Sequence, residues 1–405
     1  MATTSKIEIS SKNLSGRLMG FLLWAVFLVA AMELAFRVVV FPDYRSLMQD
    51  MYEPHSVFGH YNKPNLEVRR FSPLNYDVIN HTNRLGQRGL DRDMERELKG
   101  IWVAGGSNTF GGYVGDDEVY STRLRGLGFW AANLASEGHD MTMQTLVIRD
   151  LAARGYRPRA VILALTFFNS VQDYDDRLGN LTRPLGGVAP EVETRRTESP
   201  AASRLASAVK GLWSLVPTSF MALRARLIKN SAVYGWLKVG VMGIPALREW
   251  TLRLRLRADL DLVYKNSVDL LRPLGPQNPA TRLIASTANY VTALKDIVRE
   301  SLGVPFGVVL LPNHHQIYPQ RFERFVRHFG LQGQGLDPVP PIDALAATLR
   351  ARDIPVLDTQ PALRRANARM LVFPDDAHLN AEGHAIVAPA VAQWLVHDLH
   401  LSPER

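Results

Sequence analysis

Two short stretches far apart in the chain carry residue types that can do chemistry together. The first is AGGSNTFGG, residues 104–112, where Ser107 stands among small residues. A serine where a strand turns into a helix is exposed at the strand's carboxyl end, and nearby backbone N–H groups can face a developing oxyanion. The second is FPDDAHLNAEGH, residues 373–384. A carboxylate three residues before a histidine can reach back from a loop to the imidazole Nδ1, fix its tautomer and leave Nε2 for a hydroxyl. Ser107, His378 and either Asp375 or Asp376 therefore have the types needed for nucleophile, general base and orienting acid. Each stretch also has a plainer reading. Glycines in a strand-to-helix turn can approach a phosphate, although residues 104–112 hold neither GxGxxG nor a GxxxxGK loop. The two aspartates could simply cap the last helix.

Other polar groups compete for a role. Asn313, His314 and His315 follow LLP at the expected carboxyl end of a strand, so Asn313 and His314 are candidates for a substrate cleft, as is Asn108. Adjacent histidines point in different directions on most backbones and make a poor metal pair, so no metal and no cofactor are expected. Asp173, Asp175 and Asp176 could bind sugar or a cation, but a solvated acidic loop is the plainer account. With no cysteine in 405 residues, disulfides, thiolate zinc, iron–sulfur clusters and a cysteine nucleophile are excluded. Serine is left as the candidate for covalent catalysis.

These residues need a frame. From residue 100 short apolar or β-branched runs alternate with helical patterns: GIWVAG, a helix near 117–127, WAANLA, a helix near 142–154, and RAVILALTF. After an interruption comes a helix opened by Asn278 and Pro279, closed by Gly303, with one apolar stripe of Leu283, Ile284, Val291, Leu294, Ile297 and Val298. VPFGVVLLP and DIPVLD follow as strands, then a last helix over 381–397. This βαβ rhythm predicts a three-layer α/β/α domain on a doubly wound, flavodoxin-like parallel sheet of five strands. Residues 42–99, rich in Pro, Asn and charge, read as a loop-rich lead-in with a short strand over 76–79. The α/β domain divides into 100–179 and 278–405 around an insertion at 180–277.

In this frame the blocks resemble the SGNH or GDSL-type serine hydrolases, named for short blocks that supply a Ser, a Gly, an Asn and a His. VAGGSNTFGG resembles the first block in a GGS variant, and PDDAHLNAEGH the last. The run NLASEGHDMTMQTLVIRDLAARGYRPRAVILALTFFNSVQD is similar to the stretch between the second strand and the third block. By that resemblance Gly138 would offer a backbone N–H and Asn169 a side-chain N–H to the oxyanion, beside the Ser107 N–H. NRLGQRG at 83–89 and Glu33 to Arg37 look like the lead-in of membrane-anchored members. The likeness covers roughly 78–178 and 304–396. Two departures stand out: Gly106 replaces the family's aspartate, and FFNS lacks the Gly and Asp usual around Asn169.

The first residues address the chain to a membrane. Between Arg17 and Arg37 only Glu33 is charged, and these nineteen residues make a helix of about 28 Å, near the hydrocarbon thickness. Glu33 and Arg37 are spaced to pair on one helix face near the far interface. Lys6, Lys12 and Arg17 against Glu8 put residues 1–17 in the cytoplasm, 18–41 across the inner membrane as an uncleaved signal anchor, and the rest outside it in the periplasm. A cleaved signal peptide would need a small-x-small site, and 30–36 offers only poor ones.

The net charge of +8 is localised. Residues 203–257 hold ten Lys or Arg against Glu249 alone, a net +9, interleaved with Trp213, Trp236 and Trp250. Basic amphipathic helices of this kind lie on anionic lipid, or cap an α/β core with a solvated face. Nucleic acid is not an expected partner for an outward-facing domain. The expectation is a membrane-anchored esterase acting on O-acyl, chiefly O-acetyl, groups of a surface or exported glycan. Alternatives are an O-acyltransferase or lipid esterase with the same triad, or a weakly catalytic binding subunit among envelope polysaccharide-modification partners.

Overall fold

The computed structural model describes residues 11–40, 51–72, 75–181, 231–244, 246, 247, 250, 267–374 and 377–404. The chain divides into two compact units, Met1–Gln49 with Arg204–Arg248, and Asp50–Ser203 with Glu249–Arg405.

In the first unit, helix α1 (Ser11–Ala35) continues into a π-helical turn, Phe36–Val40. Within it Met19–Val39 is long and apolar enough to cross a membrane, and none of it is buried by protein. The Arg37 Nε lies 2.8 Å from Glu33 Oε1, which is the i,i+4 pair the spacing predicts. Much of the expected basic stretch 203–257 lies outside the described residues. The part described includes a helix at Ala232–Gly243.

The second unit is built on a five-stranded, all-parallel sheet. In chain order its strands are β5 (Ile101–Gly105), β6 (Ala131–Asn133), β7 (Ala160–Thr166), β8 (Phe306–Leu311) and β9 (Val356–Asp358). Their spatial order is β6-β5-β7-β8-β9. Successive side chains along each strand enter different cores, as period-2 geometry requires. Trp102, Ala104, Leu163 and Val308 join one core with Met141, Val147, Leu294 and Leu345. Ile101, Val103, Ile162 and Val309 join the other with Tyr120, Val387 and Leu395. Helices thus cover both faces, and strands buried on both sides read as continuous apolar runs.

Local signals placed three of the four helices expected in the α/β domain, whereas Pro319–His328, Pro340–Arg350 and Gln360–Arg365 were not expected. Asn278 caps Pro279–Leu302 by accepting the Ala280 N–H, and Gly303 closes it in the left-handed region at φ 67°. Asp140 caps Met141–Ala153, and the last helix is Ala381–His397. The helix expected near 117–127 is shorter: an α-turn at Tyr120–Arg123 runs into a 3-10 turn at Leu124–Leu127.

The lead-in is more ordered than its composition suggested. It forms two antiparallel hairpins, β1 (Tyr52–His55) with β2 (Gly59–Asn62) and β3 (Glu67–Ser72) with β4 (Tyr76–His81), then helix α2 (Asp91–Lys99). Arg88 bridges to Asn133 of edge strand β6, and its buried guanidinium meets Asp116 Oδ1 at 2.8 Å and the Val114 carbonyl at 2.8 Å. β4 contains the strand expected over 76–79 and runs two residues further; the other three, of four to six residues, were not expected, and β1 contains Pro54.

Candidate active site

Strand order reverses between β5 and β7, because the chain goes from β5 outward to β6 and then returns to the other side of β5. In open α/β sheets a crevice forms at the carboxyl ends of the strands at such a switch point. Ser107 follows β5 there, as the first residue of a four-residue helical turn, Ser107–Phe110, with Gly106 at its N-cap. A first-turn N–H has no acceptor within its own helix, so the Ser107 N–H is chemically available at this corner.

His378 arrives from the other end of the chain. Its Nε2 lies 2.7 Å from Ser107 Oγ, a hydrogen bond spanning 271 residues of sequence. Two further bonds hold the imidazole's loop. The Phe373 N–H donates to the His378 carbonyl at 3.1 Å, closing the loop on itself, with an antiparallel bridge between Val372 and Leu379. The Leu379 N–H donates to Asn108 Oδ1 at 3.0 Å, tying the histidine loop to the serine turn. Asn108, expected at the substrate cleft, is instead a buried tie, 6% exposed. Asp375 and Asp376 lie outside the described residues. The last helix does not depend on them for its cap, which is Asn380, accepting the Gly383 N–H at 3.0 Å.

Gly138 sits in a tight turn at φ 79°, a conformation that favours glycine. Its loop runs beside the serine turn, since a Cβ on Gly106 would lie 3.7 Å from the His139 carbonyl. The lead-in holds this loop from outside. His60 Nε2 lies 3.0 Å from the Glu137 carbonyl, His139 Nε2 lies 2.8 Å from the His60 carbonyl, and the Ser136 hydroxyl donates to Asn62 Oδ1 at 2.9 Å. Glu137 also takes a bidentate pair from Arg70 of β3, at 2.5 and 3.3 Å. Burial opposes the charge on Arg70, but Glu137 outweighs it and holds the guanidinium above its ordinary value. Burial, with the Glu137 charge beside it, also pushes the Tyr52 hydroxyl well up.

Asn169 lies in the turn Phe167–Ser170 directly after β7, the neighbour of β5; its side chain is outside the described set. Where the family pattern would place an aspartate, Ser170 Oγ accepts the Thr166 N–H at 3.2 Å, and its carbonyl accepts the Tyr174 hydroxyl at 3.0 Å. The turn after β7 therefore has support of its own.

An aromatic surface flanks the histidine. The Tyr113 ring meets His378 edge-on at 4.6 Å, and Tyr76 and Phe373 pack on Tyr113 at 4.9 and 6.3 Å. Arg70 lies over the other part of this cluster, 4.5 Å from the Tyr113 centroid. Neither Arg70 nor Tyr113 was legible as a site residue, because nothing in their local sequence marks a partner that far away.

The remaining candidates have structural duties. Asn313, expected at the cleft, is 1% exposed and caps the short helix His314–Ile317 in a reciprocal box with Gln316. His314 and His315 are buried, at 4% and 2% exposure. Asp173 pairs with Arg282, and the Ser286 hydroxyl donates to Asp175 Oδ1 at 2.8 Å and lies 3.3 Å from Asp173 Oδ1, so this acidic loop is stitched to the helix Pro279–Leu302.

No family model and no curated protein matches the chain. Among solved structures it is similar to LAE5, an alpha/beta hydrolase enzyme from the metagenome of Lake Arreo, Spain. That match has 14% identity and a TM-score of 0.28, covering 73% of this chain and 93% of that one. It is also similar to a mutant of Axe2, an acetyl-xylooligosaccharide esterase from Geobacillus Stearmophilus, at 12% identity and a TM-score of 0.31, covering 75% and 95%. At this distance the site has to be read from the chain's own residues.

Proposed function

We propose that the chain is a membrane-anchored serine esterase of the SGNH kind. Its acyl-transfer site is built from Ser107 and His378, with Asp375 as the orienting acid. The observation that carries this reading is the 2.7 Å contact between Ser107 Oγ and His378 Nε2 at the switch point of a parallel sheet. His378 takes the hydroxyl proton while Ser107 Oγ bonds to the ester carbonyl carbon. The resulting oxyanion is met by the Ser107 N–H, the Gly138 N–H and the Asn169 side chain, each donor contributing about 3 kcal/mol to the transition state. His378 then gives its proton to the leaving alcohol as the C–O bond breaks. Water hydrolyses the acyl-serine by the same steps in reverse; a sugar hydroxyl in its place would make the protein an O-acyltransferase.

The substrate proposed is an O-acyl, chiefly O-acetyl, ester on an exported or surface glycan. The part-exposed Tyr113 beside His378, with the part-exposed Tyr76 packed on it, supports it, since aromatic faces offer an apolar body to a sugar ring and a hydroxyl at its rim. The span Met19–Val39 supports membrane attachment, with the site on the extracytoplasmic side.

A fluorophosphonate probe tests the nucleophile. Wild type is expected to be labelled and Ser107→Ala not, with His378→Gln at least a hundredfold slower. Absence of labelling in a folded wild type would rule out a competent serine and favour a binding subunit. Acetylated glycan assayed with and without an acceptor sugar then separates hydrolysis from transfer.

A further inference from the structure

We infer that the insertion re-enters the membrane: the helix Ala232–Gly243 lies in the bilayer interface, docked on the anchor by Glu33. This rests on the reading of residues 19–39 as a membrane span. Both segments belong to the same compact unit.

Glu33 lies six residues before Val39, about 9 Å along the helix from the end of the span. A lone carboxylate there would sit at the edge of the hydrocarbon, where an unpaired charge is unfavourable. It is not lone. Oε1 accepts the Ala232 N–H at 2.7 Å and Arg37 Nε at 2.8 Å; Oε2 accepts the Ser231 hydroxyl at 2.8 Å and the Val233 N–H at 3.3 Å. The anchor thus supplies the acceptor for the first N–H groups of the second helix, which have none within that helix and which water cannot reach inside lipid. The carboxylate also stands at the positive end of that helix's dipole.

The second helix suits the same depth. AVYGWLKVGVMG holds no acid and a single base, Lys238. Its twelve residues make about 18 Å, too short to span the roughly 30 Å hydrocarbon layer. Trp236 meets Phe36 edge-on at 5.2 Å, so the helix leaves Glu33 toward the end of the span. Trp236 is 42% and Leu237 52% exposed, and Ile244 and Leu247 just beyond are also open. These apolar side chains continue the unburied apolar surface of the anchor, so the lipid that covers the anchor is their occupant. Trp is a side chain that settles at the headgroup boundary, and Trp236 is open on this helix.

The chain's lack of cysteine makes a direct test possible. Single variants Leu237→Cys, Phe27→Cys and Arg272→Cys in the full-length protein are labelled with bimane and placed in nanodiscs of phosphatidylethanolamine and phosphatidylglycerol. The fluorescence is quenched either by nitroxide-bearing lipid or by aqueous iodide. Leu237→Cys should follow Phe27→Cys, with strong lipid quenching and at least fivefold less iodide quenching than Arg272→Cys. Iodide quenching equal to that at Arg272→Cys, or no quenching by either agent, overturns the proposal while Phe27→Cys stays lipid-quenched. Failure of lipid quenching at Phe27→Cys would overturn the anchor reading itself. Adding Glu33→Ala should at least halve lipid quenching at position 237 but not at 27, whereas Glu33→Gln, which keeps an acceptor, should preserve it. No change in Glu33→Ala would remove Glu33 as the dock.

Discussion

The distance from Ser107 Oγ to His378 Nε2 is set by a residue that does no chemistry. Asn108 follows the serine on the same turn, and its Oδ1 takes the Leu379 N–H, one residue past the histidine. A buried hydrogen bond thus helps set the register between two loops that are 271 residues apart. Leaving that N–H without a partner should cost about 1–3 kcal/mol. Asn108→Ala is therefore expected to slow fluorophosphonate labelling ten- to a hundredfold and to lower the melting temperature, whereas Asn108→Asp, which keeps the acceptor, should retain most of the rate. An Asn108→Ala protein labelled at the wild-type rate would show that the tie is dispensable. The same scale explains the misplacement of Asn108 and Asn313 at the cleft. A short amide side chain near a strand end serves equally as ligand or as cap, and only its partner tells which.

At the level of elements, the turn after β5 shows why two adjacent glycines are not equivalent. A Cβ on Gly105 would press on Thr109 Oγ1 and lie 2.7 Å from Thr109 Cβ, which cannot move without moving the helical turn. A Cβ on Gly106 would meet only the His139 carbonyl, at an ordinary 3.7 Å. Position 106 therefore has room for a Cβ, and position 105 does not. Gly105→Ala should destabilise the protein by about 1–3 kcal/mol and slow labelling of Ser107, because the strain falls on the turn that presents it. Gly106→Ala should melt close to wild type. Equal melting temperatures for the two, read by calorimetry, would sink this distinction. The hairpins of the lead-in act at the same scale: β2 and β3 carry the His60 and Arg70 that hold the Glu137–Gly138 turn.

Across the chain, charge and protonation follow burial more than composition. The net +9 of residues 203–257 leaves the remainder near neutral, so the basic character belongs to one segment. Three buried groups shape the response to acid: two histidines, and Glu97, which burial pushes up to about 7, so that it favours the fold as pH falls from 7 toward 4.5 and works against the histidines there. Burial pushes His139 down to about 4, only partly offset by its bond to the His60 carbonyl. His384, stacked on Tyr120 and accepting its backbone N–H at 3.3 Å, is pushed down to about 3 by burial and by the Arg88 and Arg123 charges. Both values lie below the 6.5 of an unfolded histidine, so between them the unfolded chain binds more protons. The stability they confer is complete above about pH 6.5 and is lost as pH falls toward 4, by about 3 kcal/mol for His139 alone. The Glu97 contribution is common to wild type and His139→Gln, so between pH 7.5 and about 4 the denaturant midpoint of the full-length His139→Gln protein should fall less than that of wild type. An equal fall in wild type and His139→Gln would contradict the neutral, buried state of that ring.

What the sequence determined by itself is what neighbours along the chain control. Apolar runs fixed five parallel strands, Asn278 and Gly303 fixed a helix's two ends, and the unbroken run before Arg37 marked the one described helix fit to cross a membrane. Ser107 and His378 could be named as partners because each sits in a short block with its own pattern. Their meeting at 2.7 Å was decided by the tertiary structure, as were the Asn108 tie, the Arg70–Glu137 pair, the Tyr113 surface and the seat of Glu33 on a second helix. The physical reason is the same in each case. Capping and periodicity act within a few residues and leave a local signature, whereas a hydrogen bond across 67, 198 or 271 residues depends on where the folded backbone brings two ordinary side chains.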